Sequence, residues 1–343
     1  MRTVLTKPIR KRTARAVLFL IGLIINIGCQ QQFDYYQLDG FTMGTTYHIT
    51  LKTNKNSATL LHNKIAQRLV KINQLMSTYI EDSELSKFNQ SLSVECQPVS
   101  KETYFVIKNA LKVSAETGGK FDVTVAPLIA EWGFDQKTTN DEIPDQESIQ
   151  RLLKETGYEN IELGIGCLLK KIPELSINLS AIAKGYGVDQ IARVIETNGI
   201  SNYLIEIGGE TASRGVNSKS ILWTLAIEAP SEQRRKIQSI FSPKGMGVAT
   251  SGDYRNYFEK EGVRYSHTID PISGKPITHN LVSATVLHKS TMLADAYATA
   301  FMVMGEHAAL EFAEEKELAI YLLVKNGHGF EERHSTTFNQ YLQ

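Results

Sequence analysis

The chain has 343 residues, 22% of them charged, with 37 Lys and Arg set against 37 Asp and Glu. That balance leaves no basic footprint for nucleic acid. Three cysteines, of which only Cys96 and Cys167 lie beyond position 29, allow one disulfide at most and exclude a disulfide scaffold or a CxxC metal site.

Six Lys and Arg and no acid occur in the first fifteen residues, and ten apolar or small residues, AVLFLIGLII, follow. A basic segment before a hydrophobic stretch too short for a comfortable membrane span is the order of a secretory signal. Gly28 before Cys29 resembles a bacterial lipoprotein cleavage site, although Asn26 stands where Leu is usual. The expectation is a signal over residues 1–28 and a mature chain, 29–343, exported to the cell envelope. Lipid on Cys29 would hold it to a membrane, facing the periplasm or exterior. An uncleaved anchor helix is the alternative.

The mature chain, a little over 300 residues, suits one large domain or two intimate ones. FTMGTTYHITLKT (41–53) alternates like a strand. Residues 58–79 then place Leu60, Leu61, Ile65, Leu69, Ile72 and Met76 on a helical stripe. Further helices are expected over 103–119, stopped by Gly118 and Gly119, over 147–157, and over 183–199, ending at Gly199. Strands are expected at 202–209, 222–229, 245–252, 264–270, 280–287 and 317–324. Most follow one another without intervening helices, which predicts an α+β fold of largely antiparallel sheets covered by helices, with no repeats or long polar linker.

Several segments carry candidate chemistry. In STMLADAYATAFMVMG (290–305), Asp295 and Thr299 stand four apart and share one helix face, a hard-oxygen pair suited to Mg²⁺. A buried, hydrogen-bonded Asp-Thr pair is the plainer reading. Gly208 and Gly209 end a strand, where backbone amides could approach a ligand or simply form a tight turn. Lys184 follows a small-residue loop at a helix start, where amides and an ammonium could face a pyrophosphate; a solvated lysine is the alternative. His267 leads into a Pro-Gly turn, a place for an accessible imidazole or a structural one, and Asp270 fits turn initiation. No GxGxxG, Walker loop, GxSxG elbow or HxxxH spacing is present, so Rossmann, P-loop, serine hydrolase and zinc readings fail.

Eight segments in order, FTMGTTYHI, MSTYIEDSELSKFN, GGKFDVTVAPLIAEWGF, INLSAIAKGYGVDQIA, YLIEIGGETASRG, ATSGDYRNYF, HTIDPISGKPITHNLVSATV and ADAYATAFMVMG, resemble the flavin transferases of the ApbE family over nearly the whole mature chain. The resemblance implies a single large ApbE-like domain with a core related to the T-fold. It implies an FAD:protein FMN transferase that uses Mg²⁺ to cleave FAD, joins FMN through a phosphoester to a Thr or Ser of an acceptor protein, and releases AMP. Metal ligands carried over by motif are Asp295, Thr299 and the carbonyl of Ala181. Flavin contacts carried over are Met43, Tyr79, Lys120, Phe121, Asp122, Asn178, Lys184 and Ile269, with aromatic and thioether groups as surfaces for the rings. Asn178 departs from the Asp common in the family. His267 is the candidate catalytic base, and Asp295 is counted as catalytic through the metal it would hold; Asp253 is a further acidic candidate. Acceptors in the family include subunits of membrane redox complexes. An FAD pyrophosphatase giving FMN and AMP, or a flavin-binding lipoprotein without chemistry, are the alternatives.

Overall fold

The computed structural model describes residues 33–134, 143–229, 236–252, 257–260, 263–327 and 329–343. The expected signal, its cleavage point before Cys29, and Asp253 lie outside the described residues.

Eight strands form one antiparallel sheet whose spatial order is their order in the chain: β1 (Asp34–Thr42), β2 (Thr45–Thr53), β3 (Tyr203–Ile207), β4 (Glu210–Arg214), β5 (Gly247–Gly252), β6 (Leu281–His288), β7 (Ala319–Asn326) and β8 (Gly329–His334). The sheet is open, and helices are inserted between its strands. Between β2 and β3 come α1 (Lys55–Met76), α2 (Glu84–Gln90), α3 (Lys101–Glu116), α4 (Ala126–Glu131), α5 (Gln146–Lys154) and α6 (Ala183–Thr197). Between β6 and β7 come α7 (Thr291–Met304) and α8 (Glu306–Glu315). The α+β, largely antiparallel architecture read from the sequence is the one observed.

Local chemistry places the helix ends. Asn54 accepts from the Ser57 amide at 2.9 Å, and Ser100 from the Thr103 amide at 3.2 Å, each satisfying an amide the helix itself leaves open. Helix α1 buries Ala58, Leu61, Ile65, Leu69, Ile72 and Met76 at spacings of three and four. Leu60, expected on that stripe, is 64% exposed, because one residue turns it about 100° from Leu61. Leu61, Ile65 and Leu69 pack with Val188, Ile191 and Ile195 of α6 against Leu38, Ile49, Leu51 and Ile205 of the first three strands.

Further along the sheet, Ala249, Ala284, Val286 and Leu322 pack against α3 and α7. Their other face is covered by a hairpin, Leu225–Ala229 with Lys236–Phe241, and by Phe338 and Tyr341. Strand β6 is therefore buried on both faces, and LVSATVL reads as an apolar run with small polar residues instead of alternating.

Three expectations were too simple. The single strand at 41–53 is a hairpin whose turn is Met43 and Gly44, both at positive φ. The strand at 264–270 is interrupted at His267, with short strands at Val263–Ser266 and Ile269–Asp270; the Thr268 amide turns back to the Ser266 hydroxyl at 3.1 Å. The strand at 222–229 begins only at Leu225. Cys96 and Cys167, whose pairing the sequence leaves open, form a disulfide with Cα atoms 5.5 Å apart.

Candidate active site

The site is built where α6 crosses α7. Gly185 on α6 faces the backbone of Thr291 so closely that a Cβ there would overlap its carbonyl. The Gly185 amide thereby donates to Asp295 Oδ2 at 3.0 Å. Asp189, one turn further along α6, caps α7: it accepts from the Ser290 hydroxyl at 2.7 Å, the Thr291 amide at 2.8 Å and the Met292 amide at 3.1 Å. A negative side chain from one helix thus fixes the start of the other, and Asp295, on the following turn, inherits a defined position.

Asp295 is 4% exposed, and its neighbour across the crossing is the Lys184 ammonium. That ammonium lies 3.1 Å from the Ser180 carbonyl, 3.3 Å from Glu210 Oε1 and 3.8 Å from Asp295 Oδ1. Burial pulls the Lys184 pKa down, but the charges of Asp295 and Glu210 outweigh it and hold it above its ordinary value, so the side chain stays charged. Burial pushes both carboxyls up, against the pull of Lys184. Glu210, first residue of β4, is a site residue that no local spacing marks, because its partner Lys184 is 26 positions away.

A cavity of about 390 Å³ opens over this cluster. Asp295 and Thr299 line it from α7, and Ala181 and Lys184 from the turn and first residues of α6. Lys120, Phe121, Asp122 and Asn178 line it from the inserted segment, His267 from the break after Val263–Ser266, and Ile269 from the short strand that follows. Met43 and Tyr79 line a second cavity of about 500 Å³ that shares Ser180 and Lys184 with the first. The metal ligands and flavin contacts carried over by motif, and His267, therefore border two adjoining hollows.

Their side chains do not all face outward. Phe121 is 2% exposed and packs in the core while bordering the cavity. Ile269, 4% exposed, likewise packs beside Leu128 and Trp132. Asp122 accepts from the Thr124 amide and hydroxyl at 2.8 and 2.7 Å and from the Tyr158 amide at 2.8 Å, which ties two loops together. Burial nevertheless raises its pKa. Lys120 reaches Asp270 at 3.2 Å, and Asn178 Oδ1 accepts from the Ser180 amide at 2.8 Å, shaping the turn that carries Ala181. Tyr79, 57% exposed, is the open aromatic of the set. The ring of Phe134 meets His267 edge-on, with centroids 6.4 Å apart.

The ApbE family profile matches residues 43–322. The chain is 44% identical over 325 residues to the FAD:protein FMN transferase of Vibrio cholerae serotype O1, covering 94% of this chain and 97% of that one. It is 37% identical over 340 residues to the FAD:protein FMN transferase of Escherichia coli K12, covering 95% and 97%. Among solved structures, the flavin transferase ApbE from Vibrio cholerae superposes with a TM-score of 0.85 at 42% identity, over 91% of this chain and all of that one. The apo form of the Pseudomonas stutzeri flavinyl transferase ApbE does so at 0.83 and 34% identity, over 91% and 98%.

Proposed function

The chain belongs to the ApbE family, and from that membership and the site geometry we infer that it is an FAD:protein FMN transferase, which moves FMN from FAD to an acceptor protein. The single observation that carries the chemistry is the cluster of Asp295, Lys184 and Glu210 beneath a cavity large enough for much of a dinucleotide.

Mg²⁺ is the cation this reading requires. Asp295 Oδ1, the Thr299 hydroxyl and the Ala181 carbonyl would hold it, and three hard oxygens with room for substrate oxygens and water fit that ion. When bound, it would neutralise the diphosphate and open the phosphorus nearer the flavin to attack. The chain's own groups do the rest. The Gly185 amide fixes Asp295, leaving Oδ1 as the ligand atom. Lys184 meets the negative charge that grows on the departing AMP. His267 takes the proton from the acceptor hydroxyl as the new oxygen–phosphorus bond forms and the bond to AMP breaks. Met43 and Tyr79 offer a thioether and an aromatic face in the second cavity for a ring of FAD. Residues 29–343 are read as the transferase domain, exported and held to a membrane by lipid on Cys29, with a Thr or Ser of a flavoprotein as acceptor.

The test is a co-purified acceptor incubated with FAD and Mg²⁺. One FMN mass on a single threonine or serine, with AMP released in equal amount, is expected. Asp295→Asn should abolish both, and undiminished transfer in that variant overturns the metal assignment. Rapid AMP release without acceptor marks hydrolysis instead.

A further inference from the structure

The arrangement of Lys184 poses a problem for the reading just given. A charged ammonium 3.8 Å from Asp295 Oδ1 sits beside the very atom a cation would need, and the remaining Asp295 oxygen already belongs to the Gly185 amide. A closed Lys184–Asp295 pair would compete directly with the metal. Three features keep the pair from closing. The ammonium is within hydrogen-bonding reach of Glu210 Oε1 and of the Ser180 carbonyl, both nearer than Asp295. Gly208, at φ +60 in the turn before β4, lets the lysine stem and Thr45 lie close to the backbone: a Cβ there would come within 2.8 Å of Thr45 Cγ2 and 3.3 Å of Lys184 Cδ. Glu210 is 3% exposed, and its second oxygen, Oε2, has no hydrogen-bond partner among the described residues. A buried carboxylate with an oxygen left unmet is costly. Its other oxygen grips Lys184 at 3.3 Å.

We propose that Glu210 is a positioning residue that holds the Lys184 ammonium off Asp295, so that Asp295 Oδ1 stays open to the divalent cation. The ammonium is then parked between Glu210 and Ser180. This rests on Asp295 and Thr299 as ligands of the cation. Without Glu210, the nearest carboxylate for Lys184 is Asp295, and cation and lysine compete for one oxygen in a site where charges are weakly screened.

The test is Mn²⁺ binding to the metal-free protein without FAD, followed by the loss of the free-ion electron paramagnetic resonance signal. Glu210→Gln should weaken Mn²⁺ binding about tenfold or more. Lys184→Met, which removes the competitor, should bind at least as tightly as the unaltered chain. In the Lys184→Met background, Glu210→Gln should have little effect, since nothing remains to be held back. An equal loss in both backgrounds means Glu210 acts as a distant negative charge and overturns the proposal. So does wild-type affinity in Glu210→Gln, or a tenfold loss in Lys184→Met, which decides the matter even should the Gln variant not fold. A purely structural Glu210 would lower the melting temperature and leave Mn²⁺ affinity alone. Asp295→Asn separates the underlying reading: retained Mn²⁺ binding there removes the metal site itself.

Discussion

Glu102 joins three helices through single side-chain contacts. From the first turn of α3 its carboxylate meets Arg68 and, at 2.7 Å, Lys71 on α1, and accepts from the Tyr186 hydroxyl of α6 at 2.9 Å. Burial works to raise its pKa, but the two cations and the hydroxyl prevail and hold it at about 2. A carboxyl depressed in the folded state contributes stability above its unfolded pKa and loses it as pH falls through the folded one. Glu102→Gln should therefore cost about 1–2 kcal/mol at pH 7, after allowing for solvent screening of a partly exposed group. The deficit should shrink between about pH 5 and pH 2, as urea midpoints at each pH would show; a pH-independent deficit would contradict the sign. His267 is a second residue whose role one substitution tests. His267→Ala should lower the FMN transfer rate by about 10²–10⁴ with FAD and Mg²⁺ saturating. Full activity would assign the proton to another acceptor.

At the level of elements, the α6–α7 crossing decides the site, and half of it is visible in the sequence. The alanines of α7, its cap Ser290 and the spacing of Asp295 and Thr299 are local signals, and the start of α6 beside Lys184 is another. The partners of those residues are not local. Asp189 caps a helix 101 positions further on, Gly185 is needed because of Thr291, and Glu210 meets Lys184 only after the sheet has formed. The hairpin of β1 and β2 is only half announced: Gly44 suits its turn, but the other turn position, at φ 49, is taken by Met43 instead of the Asn, Asp or Gly that marks such turns. His267 interrupts a strand through a serine side-chain contact to the backbone that alternation does not report. Asp189→Ala should leave three donors at the start of α7 without their acceptor and destabilise the protein by about 1–2 kcal/mol. Weaker retention of FAD should accompany it. Thermal unfolding and flavin fluorescence would check both, and an unchanged unfolding midpoint would count against the cap.

Across the molecule, the Cys96–Cys167 disulfide closes a loop of 71 residues that holds α3, α4, α5 and the Lys120–Asp122 turn. Such a closure restricts the unfolded chain, by about 2–4 kcal/mol for long loops. Replacing both cysteines with serine should lower the guanidinium midpoint accordingly. Dithiothreitol should bring the unaltered chain to the variant's value without moving the variant, and a bond of this kind would persist in the oxidising surroundings that the proposed export implies. The two hollows have a related consequence. Their walls come from stretches as far apart as Met43 and Thr299, brought together by inserted helices on a sheet laid down in chain order. No fragment short of nearly the whole chain carries a nucleotide grip. A polypeptide threaded across a membrane in extended form would arrive empty-handed, and would have to find its FAD among whatever the far compartment supplies.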